Sequence, residues 1–324
     1  MKHWRPGELK TLAALRARFL EGTGGQADYW GSTDEMELYD EIFAARIGWK
    51  IDAVIRGLRR IGWLPQSKRI VDWGCGTGIA TRCVLTEWPQ FTEVGLHDRS
   101  ASAIQFARQR VGERDAGLRF TAPSVDRDTL LVISHVLNEL TNESEAELIA
   151  LIQLAGEVMW IDAGTHRESR RLIAVREKIL ASGDAPAMVA PCTHAARCGM
   201  LVPENARHWC HHFAEPPSDV FQDARWAELS RELGIDLRAL PYSHLVLTRH
   251  TSPDLTGAER IIGFPREAKG FSRVLSCGVE GVRELMLQKR DAPALYKALG
   301  KTNEYPPYRW EISNGKIVGE RSGG

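Results

Sequence analysis

The chain has 324 residues, 43% of them hydrophobic, enough to bury a sizeable core in one large domain or two smaller ones and to exclude wholesale disorder. Lys plus Arg and Asp plus Glu both total 42, so no global basic charge argues for nucleic-acid binding; only a local patch could. Met1–Glu8 has no apolar export core, and no run approaches the roughly 18 apolar residues of a membrane span. A cytoplasmic chain with reduced thiols and no membrane segment is expected.

Leu9, Leu12, Leu15, Phe19 and Leu20 form a helical stripe over 8–21, broken by Gly22-Thr-Gly-Gly25. A second helical pattern covers 34–61. The rhythm then changes. Arg69–Trp73, Glu93–His97, Leu118–Thr121, Leu130–Ile133 and Glu157–Ile161 read as strands, and 79–87, 100–111, 143–155 and 168–181 as the helices between and after them. Such alternation predicts an α/β, doubly wound, Rossmann-like parallel sheet with helices on both faces. A loop-rich segment with clustered cysteines, 186–217, interrupts it. A helix (221–233), a strand (Ser243–Thr248), a hairpin (Phe271–Ser276 with Gly281–Gln288) and a short helix (292–299) follow, then an extended aromatic tail, Tyr305–Trp310. We divide the chain into an N-terminal helical region (1–66), a nucleotide-binding core (67–185), the cysteine-rich insertion (186–217) and the remaining core strands with a C-terminal β extension (218–324). The extension holds the one local basic patch: Arg260, Arg266, Lys269, Arg273, Arg283, Lys289 and Arg290, against Glu267, Glu280 and Glu284.

Gly74-Cys-Gly76-Thr-Gly78 follows a strand and opens a helix, where glycines let a ligand approach the backbone closely. A dinucleotide fingerprint needs its third small residue at position 79, which is Ile, so pyrophosphate binding is disfavoured. Asp98 ends the second strand, where a carboxylate can accept from both ribose hydroxyls, and Asp72 ends the first, where it can face an ammonium group. A nucleoside with a cationic amino-acid tail and no phosphate fits this set, and S-adenosylmethionine is the obvious candidate.

At the end of the fourth strand stand Ser134, His135 and Asn138, placed to reach a reaction centre; His135 is the candidate base. The Asp/Asn-Pro-Pro-aromatic motif of exocyclic-amine methylation is absent here.

Cys192, Cys198 and Cys210 lie within nineteen residues, and Cys277 lies downstream. Their spacing does not match common zinc-finger pairs. An iron–sulfur cluster, zinc held with one of His194, His208, His211 or His212, and plain buried thiols are the readings open to them.

The glycine segment resembles the first motif of class I methyltransferases, which implies cofactor binding by Asp72, Gly74, Gly76, Gly78 and Asp98. Several stretches together resemble a narrower family. They are Ser134-His-Val-Leu-Asn-Glu-Leu140, Ile161-Asp-Ala-Gly-Thr165, Arg170–Arg176, Pro191-Cys192 with Cys198 and Trp209-Cys210-His211, and Tyr242-Ser-His-Leu-Val-Leu247. Over roughly 70–290 they are similar to the methyltransferase-like proteins of the mitochondrial small ribosomal subunit and their bacterial relatives. That resemblance implies a class I methyltransferase fold and a [4Fe–4S] cluster on Cys192, Cys198, Cys210 and Cys277. It also implies association with the small ribosomal subunit or its rRNA. The chain departs from the family in Asp162-Ala-Gly, where relatives show Glu-Pro-Gly, and in lacking a Trp-Gly-Asp ending. Three functions are carried forward: a methyltransferase acting on small-subunit rRNA, a non-catalytic assembly factor that binds cofactor and rRNA, and a small-molecule methyltransferase.

Overall fold

In a computed structural model the described residues are 4–20, 30–114 and 117–321; the Gly22–Gly25 break expected above lies outside them. The N-terminal region is helical: α1 (Glu8–Leu20), α2 (Thr33–Tyr39) and α3 (Ala45–Arg60), with one π-helical turn, Asp40–Ala44, joining α2 to α3. The wider turn carries Asp40, buried and paired with Arg82 and, at 3.2 Å, with Arg110. These arginines stand on the two helices that follow the first two strands, so a buried charge cluster bolts the N-terminal helices to the core.

The core alternates as expected. In order come β1 (Arg69–Trp73), α4 (Ile79–Glu87), β2 (Glu93–His97), α5 (Ala101–Gly112), β3 (Arg119–Thr121), β4 (Thr129–Ser134), α6 (Asn142–Leu154), β5 (Glu157–Ala163) and α7 (His166–Leu180). After these lie β6 (Ala187–Ala190), β7 (His212–Ala214), α8 (Ala224–Leu233) and β8 (Leu240–Thr248). The sheet order is β3-β2-β1-β4-β5-β8-β6. It is mixed rather than wholly parallel, because β8 runs antiparallel to both β5 and β6. Its apolar residues cover both faces, Ile70, Val132, Met159 and Val246 on one and Val71, Leu131, Trp160 and Leu245 on the other, as a sheet between two helix layers requires.

Segment 186–217 is tied to this sheet at both ends. β6 pairs with Val246–Thr248 and β7 with Leu240–Tyr242, so the two occupy the same side of β8, one beside each half. The cysteine-bearing residues 191–211 are thus an excursion from the middle of one edge lane. Two arginines of α7 supply what the irregular backbone of this loop lacks. Arg170 donates to the carbonyls of Met200 and His208, and Arg176 to those of His194 and Ala196.

The C-terminal part is a second sheet, larger than the expected hairpin. It contains β9 (Arg260–Ile261), β10 (Arg266–Ala268), β11 (Phe271–Gly278), β12 (Gly281–Gln288), α9 (Pro293–Leu299), β13 (Trp310–Ser313) and β14 (Lys316–Glu320). Its strand order is β10-β11-β12-β14-β13, with β9 also on β11, and Val274, Leu285, Leu287, Trp310 and Ile317 form its core. Of the tail expected to be extended, Tyr305–Trp310, Tyr308 bridges Glu259 and Trp310 opens β13. The basic patch is largely neutralised within the sheet: Arg266 and Arg273 share Glu284, Arg283 meets Glu259 and Glu280, Arg290 meets Asp291, and Arg260 is buried with its Nε donating to Pro191 O. Among the described residues no helix is long and apolar enough to cross a membrane.

Candidate functional site

The carboxyl ends of β1, β2, β4 and β5 open into a cavity of about 750 Å³, closed on its far side by α1, α2 and α3. At the end of β1 the chain turns through Gly74, Gly76 and Gly78, with φ of +75°, +49° and +78°. Gly74 and Cys75 donate backbone N–H bonds to His97 O at 2.8 and 2.9 Å, and Gly76 donates to Asp98 Oδ2 at 2.9 Å. The second Asp98 oxygen accepts from Ser100 N at 3.0 Å, the residue that caps α5. A Cβ at Gly74 would sit 2.6 Å from Val136 Cγ1, so the loop fits closely under the end of β4. Gly74, Gly76 and Asp98 all line the cavity, and Gly78 begins α4 just behind them.

Asp72 is placed differently from the expectation that it faces a ligand. It is fully buried and outside the cavity lining; its Oδ2 accepts from Thr81 N and Oγ1 at 3.3 and 2.7 Å, and its Oδ1 has no partner. Burial pushes its carboxyl up to about 6. A pair that sequence reasoning missed is Trp73 over His97, rings parallel within 16° and 5.3 Å apart, both on the cavity wall. The signal was available: each is the last residue of its strand, where side chains meet ligands.

His135 has φ +54°, a conformation rare for a residue with a Cβ. Its Nδ1 lies 3.2 Å from Ser134 Oγ and its Nε2 3.2 Å from Lys50 Nζ. Burial, followed by the charges of Lys50 and Arg46, holds its imidazole well below the usual range, so the ring is neutral at pH 7. Lys50, which the sequence reading did not single out, reaches the site from α3, and burial lowers its ammonium to about 7. Asn138 is engaged structurally: its Nδ2 donates to Phe19 O at 3.2 Å and ties α1 to the end of β4. Asp162 was noted only as a departure from a family pattern. Its carboxylate accepts from Val136 N and Leu137 N at 3.1 Å each, from Trp160 Nε1 at 3.3 Å and from Ala163 N at 2.9 Å, fixing the loop that carries His135.

Of the four cysteines singled out from sequence, Cys198, Cys210 and Cys277 meet against Ile173, Met200 and Ile262 between α7 and β11, and Cys192 lies near enough for its charge to act on all three. All four are free thiols. Burial pushes Cys198 up to about 11, with the charge of Cys192 adding to it; burial and then the charges of Cys192 and Cys198 raise Cys210 and Cys277 too. Convergence stops short of a finished ligand set: among the described residues no three His, Cys, Asp or Glu side chains are arranged to hold a metal ion.

The strand order, with one reversed strand inside the last edge lane, the glycine turn after β1 and the carboxylate after β2 together define a Rossmann-like class I methyltransferase fold. Within that class the chain belongs to the family described as mitochondrial small ribosomal subunit Rsm22, whose model matches residues 45–303. Solved methyltransferase structures are among those the chain resembles in fold. Among them is the plantazolicin methyltransferase BamL with S-adenosylhomocysteine bound, at TM-score 0.42 and 12% identity over 75% of this chain and 100% of that one. Another is magnesium protoporphyrin IX methyltransferase from Synechocystis PCC 6803 with S-adenosylhomocysteine bound, at 0.38 and 14% over 74% and 100%. Of curated proteins, trans-aconitate 2-methyltransferase of Rhodopseudomonas palustris (strain BisA53) is 41% identical over 49 residues, 15% of this chain and 19% of that protein. The polyketide synthase component of compactin nonaketide synthase, from Penicillium citrinum, is 31% identical over 152 residues, 42% of this chain and 5% of that protein. The chain therefore spans at most a fifth of the length of these two relatives.

Proposed function

We propose that the protein is an S-adenosylmethionine-dependent methyltransferase that acts on rRNA of the small ribosomal subunit. The observation that carries this is a single cavity in which the glycine turn and Asp98 face His135 and Lys50. Asp98, anchored by Gly76 N–H and Ser100 N–H, keeps acceptor capacity for ribose hydroxyls, and the stacked Trp73–His97 pair offers an apolar wall. At pH 7 the neutral His135 ring can hydrogen-bond an acceptor, and Lys50, its pKa lowered to about 7, is the member of the pair that can take up and release a proton. Membership of a small-ribosomal-subunit family supports an acceptor on that subunit. Labelled methyl transfer from cofactor to small subunits taken from cells lacking the protein tests this. Methyl incorporation that disappears in His135→Ala is expected; tight S-adenosylhomocysteine binding without any transfer would replace the enzyme by a cofactor-binding assembly factor. That second reading draws on Asn138, one of whose amide N–H groups is spent on tying α1 to the end of β4 through Phe19 O.

The four thiols form a second part of the proposal. Cys192, Cys198, Cys210 and Cys277 would hold a [4Fe–4S] cluster, with zinc the alternative; soft thiolate donors suit either. Such a group would supply a covalent tie between the edge-lane excursion and β11. The support is the meeting of Cys198, Cys210 and Cys277 on one apolar patch, with Cys192 within electrostatic reach, although Cys277 lies far from the others in sequence. Anaerobic purification with iron and sulfide assay should return about four iron atoms per chain, reduced in Cys277→Ser. Colourless protein with stoichiometric zinc would overturn the cluster.

A further inference from the structure

The roof of the cavity carries a cluster of cations of which Lys50 beside His135 is only one. Arg46 and Lys50 are four residues apart on α3 and therefore on one face, and Arg16 approaches from α1; all three line the cavity. They repel one another: Arg16 acts on Arg46, and Arg46 on Lys50 and His135. None of the three meets a carboxylate within ion-pair distance among the described residues. Arg16 donates to Leu233 O at 2.6 Å, Lys50 faces His135, and Arg46 Nε is shut off from solvent with no acceptor. The other arginines lining the same cavity are matched: Arg99 pairs with Glu139 at 3.0 Å and Arg167 with Glu168 at 2.7 Å.

Asp162 acts on Lys50 as a distant counter-charge, but no carboxylate among the described residues pairs with the three cations, and sheltered like charges of this kind are unfavourable in an empty protein and become favourable once an anion enters. A guanidinium presents a planar fork of donors that matches phosphate and carboxylate oxygens, and an ammonium beside it adds a point charge. We propose that Arg16, Arg46 and Lys50 form a subsite for an oxyanion, phosphate or carboxylate, carried by the molecule that receives the methyl group. The subsite adjoins the end of β4, so an acceptor held there by its anion lies against His135 and opposite the glycine turn. This deepens the methyltransferase reading and rests on it, because it assigns the helical half of the same cavity to the acceptor.

The test is calorimetric titration of the full chain, saturated with S-adenosylhomocysteine, using uridine, uridine 5′-monophosphate and citrate at fixed ionic strength. One of the two anions is expected to bind about tenfold tighter than uridine, and Arg46→Gln and Lys50→Gln should each remove most of that preference. Preference for the nucleotide identifies a nucleic-acid phosphate as the source of the anion, and preference for citrate a small carboxylic acid. Equal binding of all three probes to the wild type, or an undiminished preference in both variants, overturns the subsite. S-adenosylhomocysteine affinity within about twofold of wild type shows that a variant is folded; should Arg46→Gln fail this, Lys50→Gln and the wild-type comparison decide. Lost cofactor binding in the wild type together with retained anion preference would sink the methyltransferase reading and leave the subsite standing. Retained cofactor binding without anion preference would do the reverse.

Discussion

The two walls of the cavity are built on opposite terms. On the strand side, two carboxylates of the turns are answered from within the protein: Asp98 takes two backbone N–H bonds, and Asp162 takes three more and an indole N–H, while Asp72 Oδ1, Thr77 Oγ1 and His97 Nδ1 are left without partners. On the helix side, Arg46 Nε has no acceptor and the cations of α1 and α3 face one another. The first wall holds its shape without a ligand; the second leaves charge for a ligand to neutralise. A pre-organised surface suits a cofactor that every turnover shares, and an unsatisfied one gains selectivity, since only a molecule of the right charge relieves it.

Substitutions on the strand side should therefore cost stability or cofactor binding. The largest effect is expected from Gly74→Ala, which combines a left-handed φ with a Cβ 2.6 Å from Val136 Cγ1. Thermal or urea unfolding should show a loss of about 4 kcal/mol, with S-adenosylhomocysteine binding abolished. A near-normal melting point would mean that the turn is looser than its geometry. Asp162→Asn comes next, at about 3 kcal/mol, because the amide nitrogen cannot accept the donors that converge on the carboxylate. Asp98→Ala frees Gly76 N–H and Ser100 N–H and should weaken S-adenosylhomocysteine about thirtyfold while costing less stability. Unchanged affinity in Asp98→Ala would remove the ribose role assigned to it.

The same division explains what could be read from residues alone. The strand side is local in sequence: an apolar run, a glycine turn and a carboxylate one strand later suffice, and β1, α4 and β2 appear with the expected limits. Reversal of β8 was not readable, since one alternating strand looks the same in either direction; what decides it is its pairing with β5 and β6. Strand position says where the Asp72 side chain starts, but not that Thr81 of the next helix takes one of its oxygens and leaves the other without a partner. The cysteines were legible as a group, but not their seat. That depends on Arg170 and Arg176 of α7, whose role emerges only when the loop carbonyls they bind are seen. Lys50 sits in an ordinary amphipathic helix, and its meeting with His135, 85 residues away, has no local signature. The second sheet was underestimated because β9, β10, β13 and β14 are each too short to stand out.

The smallest and most discriminating effect is expected on the helix side, from Lys50→Met. Burial, then the charge of Arg46, lowers the Lys50 ammonium from 10.5 to about 7, with Asp162 opposing; the facing His135 is neutral in this range. Between about pH 7 and 10.5 the unfolded wild type therefore holds a proton that the folded protein has lost. Stability contributed by this group consequently rises with pH across that window and is lowest below pH 7. Lys50→Met removes the dependence. It should be more stable than wild type at pH 6, by on the order of 1 kcal/mol once cavity water has screened the charges. The advantage should shrink steadily toward pH 10. A wild-type-minus-variant difference that stays flat across that range would show Lys50 titrating as it does in water. The helix wall would then be a solvated surface and its contrast with the strand wall would fail. A slope that vanishes when phosphate is added would sharpen the contrast instead, because a bound oxyanion returns to Lys50 the counter-charge that the fold withholds.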